Sequence, residues 1–85
     1  MTTINLYVSR NGYETDFVLF KKNKPVSLVQ CCYDLSKAAT KTRELRALHE
    51  ASEELHCTRQ VVVTWDYEET VDGVQYIPFW KFVTA

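Results

Sequence analysis

An α/β domain built on a mixed four- to five-stranded sheet, in the order β-β-β-α-β-(β)-α, is the fold class this sequence predicts. Three observations lead to it. Residues 4–33 hold three strand-like runs separated by short turns, which make an antiparallel meander. A single helical period then occupies about Lys37 to His56. The most strand-like run of the chain, Arg59 to Trp65 with Val61-Val62-Val63 at its centre, comes directly after that helix. A continuous apolar run suits an interior strand reached by a crossover helix. The 85 residues, 46% hydrophobic and 13% aromatic, are enough for one domain with a thin core and too few for two.

Each element has its own warrant. Ile4, Leu6 and Val8 alternate with Asn5, Tyr7 and Ser9, so the first strand is expected to bury the face carrying the three aliphatics. Asn11-Gly12 is a hairpin signal, because both residues tolerate positive φ. Tyr13 to Phe20 is rich in β-branched and aromatic residues and reads as the second strand. Lys21-Lys22-Asn23-Lys24-Pro25 is a polar turn, and Val26 to Tyr33 is the third strand. Asp34-Leu35-Ser36 offers capping oxygens to the helix. Along that helix Leu45, Leu48, Ser52 and Leu55 fall on one stripe with Ala38 beside it, while Arg43, Arg46, Ala47, Glu50 and Glu54 lie elsewhere. Asp66 to Gln75 is polar and turns at Asp72-Gly73. Pro78 opens a closing helical turn of Phe79, Trp80, Lys81, Phe82 and Val83.

Ten Lys and Arg against eleven Asp and Glu give a net charge of -1, without the strongly basic balance of a simple nucleic-acid-binding domain. Three cysteines, an odd number, do not make a disulfide framework, and the N-terminus lacks a signal peptide's basic and apolar regions. No apolar run approaches the roughly 18 residues needed to cross a bilayer. A cytoplasmic setting with no membrane partner is expected.

Glu14 and Asp16 leave the same face of the second strand, and Gln30 and Cys32 share a face of the third. An acid on one strand, with an acid and a Lys two positions apart on the next, is an arrangement that binds Mg²⁺ through oxygen ligands for phosphodiester attack. The stretches Gly12-Tyr13-Glu14-Thr15-Asp16-Phe17-Val18, Val29-Gln30-Cys31-Cys32-Tyr33-Asp34-Leu35-Ser36, Thr42-Arg43-Glu44-Leu45-Arg46-Ala47-Leu48 and Val63-Thr64-Trp65-Asp66-Tyr67-Glu68 together resemble one family. It is the C-terminal domain of prokaryotic AAA-type ATPases of poorly defined function, itself similar to the restriction-endonuclease-like PD-(D/E)xK fold. The resemblance covers about Tyr7 to Phe82 and implies an endonuclease-like core lacking that fold's first helix. It also implies a C-terminal fragment or detached module of a larger ATPase, since the chain has no Gly-x-x-x-x-Gly-Lys-Ser/Thr.

Carried over residue by residue, the motif places Asp16 at the first metal-binding acid, Gln30 at the second acid and Cys32 at the Lys. A neutral amide removes a formal charge from the metal, and a thiol offers no fixed positive charge to a transition state. The site is therefore expected to be vestigial, with Glu14 beside Asp16 as a substitute ligand if Mg²⁺ binds at all. The implied role is a non-catalytic, partner-binding module of the parent ATPase. The alternative is a metal-dependent DNA nuclease or DNA-binding domain using Asp16 and Glu14. Lys21, Lys22, Lys24 and Lys41, with Lys37, Arg43 and Arg46, are the candidates for phosphate contact. His49, Glu53 and His56, with Cys31, Cys32 and Cys57, form a weaker zinc candidate. The first strand has no neighbour on its outer side, which leaves an edge for a homodimer.

Overall fold

The computed structural model describes residues 2–32 and 37–84, with side chains from Ile4 onward. Its elements are β1 (Thr2–Val8), β2 (Glu14–Lys21), β3 (Lys24–Cys31), α1 (Ala38–Leu55), β4 (Gln60–Thr64), β5 (Glu69–Val71), β6 (Val74–Pro78) and α2 (Phe79–Thr84). They form one mixed sheet in the order β1-β2-β3-β4-β6-β5. The meander β1-β2-β3 is antiparallel, β3, β4 and β6 run parallel, and β5 closes the far edge antiparallel to β6. The expected mixed α/β class holds, but the sheet has six strands where four to five were expected. The additional strand, β5, is three residues long and exposed throughout, so it carries no apolar pattern to read.

Turn chemistry accounts for the hairpins. Lys22 (φ 54°) and Asn23 (φ 64°) are both left-handed, as are Asp72 (φ 50°) and Gly73 (φ 80°). Two consecutive positive φ values match the right-handed twist of the strands they join. The first hairpin is looser than Asn11-Gly12 suggested. Only Gly12 is left-handed (φ 86°), and Gly12 N–H donates to Ser9 C=O at 2.9 Å within a five-residue connection. α1 starts after Lys37, which makes no side-chain capping bond. The expected capping residues Asp34, Leu35 and Ser36 lie outside the described residues. The helix ends at His56 (φ 53°), whose backbone N–H returns to Ser52 C=O.

The sheet buries both faces unequally. On the α1 face Val18, Leu28, Cys32, Leu48, Ala51, Cys57, Val62, Val74 and Tyr76 form the main core. Small residues let the helix approach: Ala47 and Ala51 are buried with Leu48, while Leu45 and Leu55 pack at the margin. Ala47, expected off the apolar stripe, is thus a core residue. The opposite face carries a smaller cluster of Val29, Val61, Val63 and Ile77, which Phe82 of α2 partly covers.

β1 presents the opposite face to the one expected. Ile4, Leu6 and Val8 are exposed, while Tyr7 packs on the main core and Ser9 is buried. The cause lies on α1. Glu50 accepts from Ser9 Oγ (3.2 Å) and Asn11 Nδ2 (3.0 Å), and Glu54 accepts from Tyr7 Oη and from Arg10 N–H (2.9 Å). Two helix carboxylates thereby hold the polar side of β1 inward, and the aliphatic side is left facing out.

Candidate functional site

The predicted strand residues meet where β2 and β3 stop pairing. The antiparallel register runs from Lys21↔Lys24 to Phe17↔Val29 and goes no further. On the other side of β2, Asn5 pairs with Val18 and Tyr7 with Thr15, so two β2 residues oppose the single residue Leu6. This bulge at Asp16-Phe17 turns both Thr15 and Val18 toward α1. On the β3 side the backbone groups of residues 14–16 lie beyond the last ladder pair.

Side chains take those groups over. Gln30, fully buried, accepts the Asp16 N–H on its Oε1 at 2.7 Å and donates from Nε2 to Glu14 C=O at 2.9 Å. A longer contact of 3.4 Å reaches Glu44 C=O on α1. In return Asp16 Oδ2 accepts the Cys31 N–H at 2.9 Å. A buried amide must satisfy both of its ends, and Gln30 does so entirely on backbone.

Above this lattice opens a cavity of about 460 Å³ lined by Glu14, Asp16, Gln30, Arg43 and Glu44, with Gly12, Tyr13 and Ala47 at its sides. Glu14 is exposed and Asp16 half-buried, and both border the cavity as their spacing predicted. Glu44 is the residue that sequence reading passed over. Its Oε2 is buried without a hydrogen-bond partner among the described residues, and burial first, then the Asp16 charge, holds its carboxyl above the usual carboxylate range. A Glu on the buried margin of a crossover helix, one turn before Leu48, is the signal that could have found it.

Cys32 does not face this cavity's mouth. It is buried in the main core and lines a narrow crevice with Lys41, Glu44, Leu45, Val62 and Tyr76. Lys41 lies 5.6 Å from the Tyr76 ring centroid. Lys21, Lys22 and Lys24 are exposed at the β2–β3 turn. They sit at the start of β3, whereas Lys41 shares a crevice with Cys32, just past its end. Lys41 stands on α1 against Tyr76 and not at that turn. Cys31 and Cys32 belong to clusters on opposite sheet faces, and His49 is exposed, with its Nε2 3.2 Å from Glu53 Oε1.

Asp16 is the one motif residue whose chemistry suits Mg²⁺. That ion requires oxygen ligands in a near-octahedral shell. Gln30's carbonyl oxygen is committed to Asp16 N–H, one Asp16 oxygen is committed to Cys31 N–H, and Cys32 is a core thiol. Among the described residues no group of three or more His, Cys, Asp or Glu is placed to hold an ion. No described helix is long and apolar enough to cross a membrane.

No family model matches the chain, and no solved structure matches it. It is 35% identical over 86 aligned positions to the uncharacterized protein MJ1544 of Methanocaldococcus jannaschii, a match that takes in 89% of this chain. The same match covers 19% of the archaeal protein, so the chain spans about one fifth of that relative's length.

Proposed function

We propose that this domain is a non-catalytic, partner-binding module of a larger AAA-type ATPase, built on a degenerate endonuclease-like core. The observation that carries the reading is the outer face of β1 and β2. Ile4 (62% exposed), Leu6 (63%), Val8 (50%) and Phe17 (43%) crowd an apolar surface beside an edge strand whose outer side pairs with no described strand. Contiguous apolar surface at a bare edge is what a docked neighbour covers. The neighbour proposed is the ATPase module, in keeping with an archaeal relative about five times as long as its matching segment. Gln30 supports the non-catalytic half, since its amide is spent on backbone where a nuclease would place a ligand.

A second reading keeps a metal-dependent DNA nuclease or DNA-binding domain at Asp16 and Glu14. The observation that favours it is the Glu44 oxygen beside Asp16, unpartnered among the described residues.

Two measurements test these readings. Mg²⁺ and Mn²⁺ are titrated calorimetrically into the wild type and Asp16→Ala, together with cleavage assays on single- and double-stranded DNA. No heat and no cleavage are expected; binding lost in Asp16→Ala would shift the assignment to the second reading. Purified MJ1544 is assayed for ATP binding, which is expected; its absence would remove the ATPase from the proposal.

A further inference from the structure

A second surface, remote from the β1 edge, is formed past the carboxyl ends of the parallel strands β4 and β6. The turn after β4 is held by Thr64, whose buried hydroxyl donates to Tyr67 C=O at 2.6 Å and accepts from Tyr67 N–H at 3.0 Å. This clamp projects Trp65 and Asp66 from the apex. After β6 the chain enters α2 at once, bringing up Phe79 and Trp80. Lys81 on α2 is ion-paired with Glu68, which ties the helix to the turn. Between them lies an open groove of about 340 Å³ lined by Trp65, Asp66, Phe79 and Trp80.

Two features define what this groove accepts. The first is its aromatic wall. Trp65 is 68% exposed, Trp80 63% and Phe79 45%, although a large aromatic ring loses most by facing water. Rings held out on a tied turn and a tied helix are the type of side chain that dominates binding energy at protein interfaces. The second is charge. From Trp65 to Asp72 the chain carries Asp66, Glu68, Glu69 and Asp72 and no basic residue. Glu68 is answered by Lys81, and Glu69 accepts from Tyr67 Oη. Asp66 is the acid that lines the groove, while Asp72 turns the chain at the opposite, amino end of β6. A nucleic-acid strand would stack on the rings but bring its phosphates against the Asp66 carboxylate. A cation is favoured twice, by that carboxylate and by the ring faces.

We propose that the groove between Trp65 and Trp80 docks a protein segment presenting an Arg or Lys next to an apolar side chain. The cation lies over an indole face within reach of Asp66, and the apolar neighbour packs on Phe79. Placement beyond the carboxyl ends of parallel strands is where open α/β sheets recurrently take their ligands.

The test titrates the whole chain with a synthetic peptide of alternating Arg and Leu, followed by tryptophan fluorescence. Saturable quenching is expected, weakening with added salt. Affinity is expected to fall about tenfold or more in Trp80→Ala and in Asp66→Lys, as for loss of an anchor worth one decade. Replacing the peptide's Arg by Glu is expected to abolish the response. Equal affinity in either variant, or no saturable quenching of the wild type, would overturn the proposal. Tighter binding of oligothymidylate than of the peptide would also overturn it and make the groove a base-stacking platform. Circular dichroism checks that Trp80→Ala is folded; if it is not, Asp66→Lys decides alone.

Discussion

Asp16 and Gln30 stand opposite each other across the point where β2 and β3 part, and each bonds the other strand's backbone. Gln30 takes the Asp16 N–H and gives to Glu14 C=O, while Asp16 takes the Cys31 N–H. The pair continues the link between β2 and β3 beyond the last ladder pair, Phe17↔Val29. Gln30→Leu strands the part-buried Asp16 N–H and Glu14 C=O, for a loss on the order of 2 kcal/mol. Gln30→Glu restores the acid of a nuclease pattern but sets a carboxylate against the carbonyl of Glu14. It is expected to destabilise at least as much at pH 7. Protonation restores a donor, so the penalty should shrink as the pH falls through the raised carboxyl pKa. Urea unfolding of both variants at pH 7 and pH 5 checks this, and a stable Gln30→Glu protein at pH 7 would refute the stitching role.

Glu44 supplies a pH signature. Its folded-state carboxyl is raised above the ordinary 4.5, by burial first and by Asp16 second. The folded state then binds more protons than the unfolded chain between those two values, so stability increases as pH falls through that window. Glu44→Gln removes this dependence and should be more stable than wild type at pH 7. The gain stays below about 1 kcal/mol because the side chain is partly exposed to solvent. Melting curves from pH 4 to pH 8 measure it; identical pH profiles for the two proteins would contradict it.

Packing under α1 depends on small residues as much as on large ones. Leu48→Ala opens the main core and should cost about 2–5 kcal/mol. Ala51→Leu, at a fully buried position, pushes the helix off the sheet and should cost about 1–3 kcal/mol. For a domain this size each kcal/mol lowers the melting temperature by about 4–8 °C. If Ala51→Leu melted like wild type, the close helix approach would be refuted.

The β1 edge predicts separable effects on folding and association. Leu6 is 63% exposed, so Leu6→Lys should change stability by no more than about 0.5 kcal/mol. A Lys on a bare edge strand opposes pairing with another chain. Light scattering at increasing concentration should show wild-type self-association and a monomeric Leu6→Lys protein. A monomeric wild type throughout would exclude the homodimer and leave the surface to another partner.

These residues also show which parts of the fold were legible in the sequence. Strand periodicity located β1 to β4, and Asp72-Gly73 located the last hairpin, because period and turn chemistry are local properties. The side on which β1 is buried is not local. Its alternation fits either face, and the choice rests on Glu50 and Glu54, more than forty residues away. The bulge at Asp16-Phe17 is equally invisible, since nothing in Glu14-Thr15-Asp16-Phe17 marks an extra residue. Strand spacing put Glu14 with Asp16, the resemblance joined Gln30 to them, and all three line one cavity. What Gln30 does there depends on the interrupted ladder, and Glu44 enters only through the helix's approach.

The left-handed pair Lys22-Asn23 has a kinetic consequence. A turn that sets its own geometry lets β2 and β3 zip over a few residues of chain, while β3 meets β4 only after the α1 crossover closes a far longer loop. Local pairings form at low entropic cost and long-range parallel ones late. The meander is thus the element expected to be assembled in the folding transition state, with the β4-β6 half arriving afterwards. Destabilising substitutions in Val61–Val63 should then act mainly by speeding unfolding, and those in Val18 or Leu28 by slowing folding.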